Sequence, residues 1–333
     1  MTRPSATTAP APKSSPSPSA SASTGRSWTA DQMPPQHGRR VVITGANSGI
    51  GFEAALELAR HGAAIILPAR SEAKAADAIR RIRAAVPAAD LTPALLDLAS
   101  LDSVRAFAAM VEERFPGPSL DLLINNAGVM ALPRREITED GYERQFATNV
   151  LGPFALTALL FPRLKPIAGT RIVTLSSIAA HGGKIAFDNL QGERAYSPLN
   201  GAYTQSKLAD LIFALELQRR LGAAGSPIAS LAAHPGIAVT NLQANLKGIY
   251  KLLGPLLMPL IGHSARQGAL PELFAATAPE ALAGGYYGPN GIREIKGDPA
   301  PAKLPPASTD CALASRLWTT AEQLTGIRFD VGG

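Results

Sequence analysis

The sequence predicts one α/β domain, a doubly wound parallel sheet of about seven strands with helices on both faces, over residues 38–333. Three observations lead there. Short apolar, β-branched runs alternate with stretches whose apolar residues recur at helical spacing. The first run leads into a glycine-rich turn and then a helix. Asparagine, aspartate and glycine residues stand where the runs end, and open α/β sheets bind ligands at those strand ends.

The first strand is expected at residues 40–44 and the helix after it at 52–61. Between them lies Gly45-Ala46-Asn47-Ser48-Gly49-Ile50-Gly51, whose G-x-x-x-G-x-G spacing differs from the usual G-x-G-x-x-G dinucleotide pattern. Glycines let the backbone approach a pyrophosphate, and the helix N-terminus adds unpaired N–H groups and a favourable dipole. No Gly-Lys-Ser/Thr follows, which excludes a Walker-type loop. Further strands are expected at 63–67, 91–96, 120–124, 171–175, 228–233 and 284–291, with helices at 71–86 and 101–115. The Pro-rich stretch 299–308 reads as a surface excursion and 309–324 as a closing helix. Alternation of this kind gives right-handed βαβ units.

Residues 1–30 read as a disordered arm: up to residue 27 they hold only Ala, Ser, Thr, Pro, Gly, Met and three basic residues. The arm lacks the apolar core of a secretory signal, and its prolines oppose an amphipathic transit helix. The formal charge of +6 is concentrated there. Residues 1–40 carry five basic and one acidic side chain, leaving about +2 for the rest, so a nucleic-acid surface is not expected. A single cysteine, Cys311, excludes an internal disulfide framework and suits a reducing, cytoplasmic setting.

The second strand ends at Pro68-Ala69-Arg70. NAD-selective sites place a carboxylate at this point for the ribose 2′-OH. Here there is none; a guanidinium can instead hold a 2′-phosphate bidentately. The expected cofactor is therefore NADP(H), with Arg70, helped by Ser71, at the phosphate. On the helix after residue 200, Tyr203 and Lys207 are four apart and share one face. A phenol beside an ammonium ionises more readily than free tyrosine, so the pair can exchange a proton with a substrate oxygen near neutral pH.

These elements together resemble the short-chain dehydrogenase/reductase family. The matching residues are Thr44-Gly45-x-x-x-Gly49-x-Gly51, Asp97, Asn125-Asn126-Ala127-Gly128, Asn149, Ser176-Ser177, Tyr203-x-x-x-Lys207 and Pro235-Gly236-x-x-x-Thr240, in the family's order. His181-Gly182-Gly183-Lys184-Ile185, His234-Pro235-Gly236 and the Ala-Arg after the second strand look most like the retinol dehydrogenase and protochlorophyllide reductase branch. One departure is plain: membrane-bound retinol dehydrogenases begin with an apolar anchor, and this chain begins with a polar arm.

The resemblance implies a Rossmann-type fold and assigns roles. Tyr203 becomes the proton donor or acceptor. Lys207 eases its ionisation and hydrogen-bonds the nicotinamide ribose. Ser177, preferred over Ser176, donates to the developing alkoxide, and Asn149 holds a relay water. Asp97 with Leu98 would face the adenine. Asn126, Ala127 and Gly128 would line the ribose path, and Pro235, Gly236, the Ile237 backbone and Thr240 the carboxamide. The activity implied is interconversion of a carbonyl and an alcohol on a small molecule; reduction of a conjugated double bond, or cofactor binding without catalysis, are the alternatives. Family members often pair through the helices carrying Asn149 and Tyr203, so the resemblance leaves a homodimer open as a partner.

Tyr196 is read as a decoy, since Asn200 stands where the lysine would be. The five histidines show no i, i+4 pairing, so no metal site is expected. Residues 240–265 are rich in leucine, with Met258, and are broken by Pro255 and Pro259, so they cannot span a bilayer. Three readings stay open for them: a cover over a lipophilic substrate, weak membrane-surface contact flanked by Lys247 and Lys251, or subunit packing.

Overall fold

The computed structural model describes residues 27–238 and 262–332. Most of the arm and most of the 240–265 segment, with Thr240, therefore lie outside the described residues. Among the described residues there are eight strands, β1 (Arg40–Ile43), β2 (Ala64–Ala69), β3 (Leu91–Leu95), β4 (Leu122–Asn125), β5 (Arg171–Leu175), β6 (Ala229–Ala233), β7 (Tyr286–Pro289) and β8 (Pro299–Pro301). They form one sheet in the order β3-β2-β1-β4-β5-β6-β7-β8. All pairings are parallel except β7 with β8.

Alternation along the strands divides the core between the two faces. Val42, Ile66, Leu123 and Ile172 point into one apolar cluster. It is completed by α3 (Leu101–Arg114), α5 (Gly152–Leu160), α6 (Thr204–Ala223) and α8 (Cys311–Thr325). Val41, Ile43, Ile65, Leu122, Ile124 and Val173 point into the other, under α1 (Gly49–Arg60), α2 (Glu72–Ala85) and α7 (Ala265–Thr277). A one-turn helix, α4 (Arg144–Phe146), runs through a π-helical turn at Ala147–Leu151 into α5.

Several elements differ from expectation. The packed body begins before residue 38: Trp28 is buried and stands edge-on to Phe274 of α7, 5.4 Å between ring centres. β2 continues through Pro68, which pairs with Ala94 on β3. Its pairing with β1 stops at Ile66, so the missing Pro68 N–H breaks no bond on that side. The expected excursion at 299–308 contains β8, which adds an antiparallel edge strand. Gly268 and Pro271 disguise α7 in the sequence, because both weaken a helix interior. It forms because most of it is buried, including Gly268, Ala269 and the run from Pro271 to Thr277.

Between β1 and β4 the strand order reverses. That crevice, beyond the carboxyl ends of the strands, is where open α/β sheets bind ligands.

Candidate active site

A cleft opens at this crevice. The glycine turn, Arg70, Asp97, Leu98, the stretch Asn126–Gly128, Tyr203, Lys207 and Pro235 all line it. Residues separated by up to 190 positions in sequence thus face one space.

The glycine-turn side is built mostly from backbone. Thr44 Oγ1 accepts from the N–H groups of Asn126 (3.1 Å) and Ala127 (3.0 Å), tying the end of β1 to the end of β4. Asn126 Nδ2 donates to the Thr44 carbonyl at 2.7 Å. A Cβ on Gly51 would stand 2.3 Å from Asn126 Nδ2, and Gly45 holds a φ of +72°. Glycine is required at both positions. Gly49 opens α1 with Ser48 as its N-cap, so the first N–H groups of the helix face the cleft along with Asn47 and Ile50. At the end of β2, Arg70 is exposed on the cleft wall; Ser71 caps α2, its Oγ accepting from the Lys74 N–H.

Asn149 and Tyr203 both belong to π-helical turns, Ala147–Leu151 and Pro198–Tyr203. Such turns recur at functional positions because they re-aim side chains. Asn149 is buried. Its Oδ1 accepts from the Val129 N–H at 2.8 Å, and its Nδ2 donates to the Val129 carbonyl and to Ser206 Oγ. The expected water-holding task therefore cannot use the two amide hydrogens, which are already engaged. A Cβ on Gly128 would stand 3.2 Å from Asn149 Oδ1 and 3.4 Å from Lys207 Nζ, so these side chains meet across that glycine.

Lys207 is buried, and its Nζ donates to the Leu175 carbonyl (2.9 Å) and to Asp210 Oδ2 (2.8 Å). Burial disfavours its charge, yet the Asp210 carboxylate, with a smaller part from Tyr203, leaves the ammonium held above its ordinary pKa. The two serines are distinguished by their bonds. Ser176 lines the cleft and donates to the Lys207 carbonyl at 2.7 Å, whereas Ser177, expected to be the one facing it, is not among the lining residues and its Oγ accepts from the Ala179 N–H at 3.1 Å. Tyr196 OH donates to the Leu132 carbonyl and accepts from Gln145, and burial pushes its pKa up to about 12.

The opposite rim is assembled from remote segments. His234 is fully buried at the end of β6; its Nδ1 accepts from the Gly236 N–H (3.2 Å), so Nε2 carries the hydrogen shared with Glu294 Oε2 at 3.1 Å. Arg293 and Glu294 both hold positive φ, 53° and 56°, an uncommon conformation for side chains of this size. His263 Nε2 bonds the Pro235 carbonyl. Ile237 is tied on both sides: its N–H donates to the Ile295 carbonyl and its C=O accepts from the His263 N–H, which leaves the carbonyl's second lone pair for a carboxamide. Sequence reasoning did not single out Asp210, Glu294 or the tying role of Thr44. Only the acidic residue one turn after Lys207 carried a readable signal.

Comparison with known proteins identifies the family. The short chain dehydrogenase family model matches residues 39–248. The chain belongs to the short-chain dehydrogenase family. It is 41% identical over 301 residues to human (Homo sapiens) retinol dehydrogenase 13, covering 87% of this chain and 85% of that one. It is 40% identical over 299 residues to a polyprenol dehydrogenase of Mus musculus, covering 88% and 86%. Among solved structures, an uncharacterized protein from Mycobacterium Paratuberculosis is 40% identical with a TM-score of 0.75, covering 91% of this chain and 99% of that one. A short chain dehydrogenase from Burkholderia cenocepacia J2315, solved in complex with NADP, is 24% identical with a TM-score of 0.58, covering 76% and 96%. These relatives place the chain in the retinol dehydrogenase-like branch and among carbonyl/alcohol oxidoreductases. Among the described residues no helix is long and apolar enough to cross a membrane.

Proposed function

We propose that this oxidoreductase uses NADP(H) to interconvert a carbonyl and an alcohol on a lipophilic small molecule, with Tyr203 exchanging the proton at the substrate oxygen. The carrying observation is the meeting of Tyr203, Lys207 and Gly128 on the cleft that the glycine turn opens.

The residues fit a dinucleotide. The turn admits close backbone approach, the α1 N-terminus favours a pyrophosphate, and the end of β2 offers the Arg70 guanidinium in a stretch, 67–70, that carries no carboxylate. Arg70 would hold the 2′-phosphate, Asp97 and Leu98 the adenine side, and Lys207 the nicotinamide ribose. The cofactor supplies hydride transfer. The chain's own residues do the rest: Tyr203 gives or takes the proton, Lys207 holds positive charge beside it, Asn149 fixes Val129 at the cleft wall, and Ser177 donates toward the developing alkoxide. The named activities of the relatives, on retinol and polyprenol, support a lipophilic substrate.

The test is NADPH oxidation, followed by absorbance with a panel of lipophilic aldehydes and ketones, for the wild type and Tyr203→Phe. Turnover should fall by at least about a hundredfold, the lower range of general acid–base contributions, while NADPH binding stays measurable. Retained turnover in the variant sinks the mechanism.

A further inference from the structure

Lys207 has a partner that this chemistry does not use. Asp210 sits one turn further along α6, and both side chains are enclosed, 6% and 3% exposed. Tyr203, Lys207 and Asp210 recur at i, i+4 and i+7, which places them on one stripe of the helix. Lys207 is held from two sides, by the Asp210 carboxylate and by the Leu175 carbonyl of β5. The ionisable groups bearing on Lys207 are Asp210 and Tyr203, and the one bearing on Asp210 is Lys207. Among the described residues, the polar groups also close by are uncharged: Asn149 across Gly128, and Ser176 on the Lys207 carbonyl.

We propose that Asp210 is a positioning residue that anchors the Lys207 ammonium, offsets its charge, and thereby sets the pH at which Tyr203 gives and takes its proton. This rests on the roles given to Tyr203 and Lys207 above. An ammonium stabilises a neighbouring phenolate, and a carboxylate on the far side of that ammonium opposes the effect. In a site this dry the opposition is screened far less than in water. Burial holds the Asp210 carboxyl above the usual carboxylate range even though Lys207 works against the shift. Lys207 and Asp210 thus bear on each other's charge, and the limbs of a pH–rate profile report the site as a whole.

The experiment compares the full-length wild type, Asp210→Asn and Asp210→Glu in NADPH-dependent reduction of decanal from about pH 6 to about pH 10, a range that brackets the usual tyrosine pKa. Thermal melting and NADPH titration are run beside it. Asp210→Asn keeps an acceptor for Nζ and removes the charge. Its alkaline limb should move down by on the order of one pH unit, the size expected of one charge removed nearby, whereas Asp210→Glu should stay near the wild-type profile. An Asp210→Asn profile that superimposes on the wild type, with only the melting temperature changed, overturns the proposal. Should that variant not fold, Asp210→Ser serves for the same titration. Tyr203→Phe run in parallel separates the two failures: its retained turnover removes the underlying reading, while an unshifted Asp210→Asn profile removes this proposal alone.

Discussion

The two rims of the cleft are held by different means. On the β1–β4 side, a single threonine hydroxyl and one asparagine amide fasten a glycine turn to the neighbouring strand end, and the working surface is backbone. On the β6–β7 side, His234, His263, Glu294 and Ile295 converge on the Pro235–Gly236 turn from three separate segments. The first rim has little room to relax, because a Cβ on Gly51 would meet the Gly45 carbonyl at 2.8 Å and one on Gly45 the Ala127 Cα at 2.9 Å. The second adds to its backbone pairing of Ile237 with Ile295 and His263 a set of side-chain bonds through His234, His263 and Glu294, in which one member can change while the others hold. Helix α7 supports both, since a Cβ on Gly268 would press on Ala238 of one rim and Ile50 of the other.

The contrast can be broken most severely at Gly51. Alanine there would place its Cβ 2.3 Å from Asn126 Nδ2 and 2.8 Å from the Gly45 carbonyl. Overpacking costs of up to roughly 3 kcal/mol would weaken NADPH binding by about a hundredfold, read by fluorescence titration. Affinity within a few-fold of wild type would show that this rim is more pliant than its contacts imply.

Arg70→Ala should act on the same rim without disturbing it. Losing a charge-assisted contact of about 1.5–3 kcal/mol should lower the preference for NADPH over NADH by roughly tenfold or more, with melting unchanged. An unaltered ratio of the two kcat/KM values would remove Arg70 from the 2′-phosphate.

The shared support carries a buried, lone carboxyl. Glu272 is fully enclosed in α7, neither carboxylate oxygen has a hydrogen-bond partner among the described residues, and burial pushes its pKa from 4.5 up to about 8. The folded chain thus binds this proton more tightly than the unfolded chain. Its contribution is fully present below about pH 4.5 and is lost as pH rises towards about 8, at up to about 1.4 kcal/mol or tenfold per pH unit. Denaturant titrations at several pH values should show that slope in the wild type and a flatter one in Glu272→Gln. Equal slopes would mean that the carboxyl has found a partner.

The smallest effect is expected at the second rim. Glu294→Gln keeps the shape and an acceptor for His234 while removing the charge, so the Pro235–Gly236 turn should loosen without collapsing. KM for NADPH should rise only a few-fold, about 1 kcal/mol for one weakened hydrogen bond. A loss as large as that of Gly51→Ala would erase the distinction between the rims.

Much of the first rim could be read from the chain, because its parts are contiguous: strand, glycine turn and helix follow one another over residues 40–61. Tyr203 and Lys207 were equally legible, being one helical turn apart. The second rim was not. Pro235 and Gly236 could be named, but the groups that fix them come from residues 263 and 294–295, and the backbone at 293–294 is strained in a way that composition does not announce. The bonds that hold Ile237 were hidden for the same reason, since the partners of its N–H and C=O are distant in sequence. Asn149 could be named from the order of the motifs, whereas its bonds to Val129 and Ser206 could not.

By itself the sequence determined the doubly wound sheet, the position of the crevice, and the pairing of Tyr203 with Lys207. Each of these follows from local periodicity or from spacing within one turn. Only the tertiary structure decided that Pro68 lies within a strand, that α7 forms despite Gly268 and Pro271, and that His234 is clamped by Glu294. It alone also settled that Lys207 bonds to Asp210 rather than standing beside an uncharged neighbour. Those outcomes depend on which groups burial brings together and strips of water, and that is fixed by the whole fold.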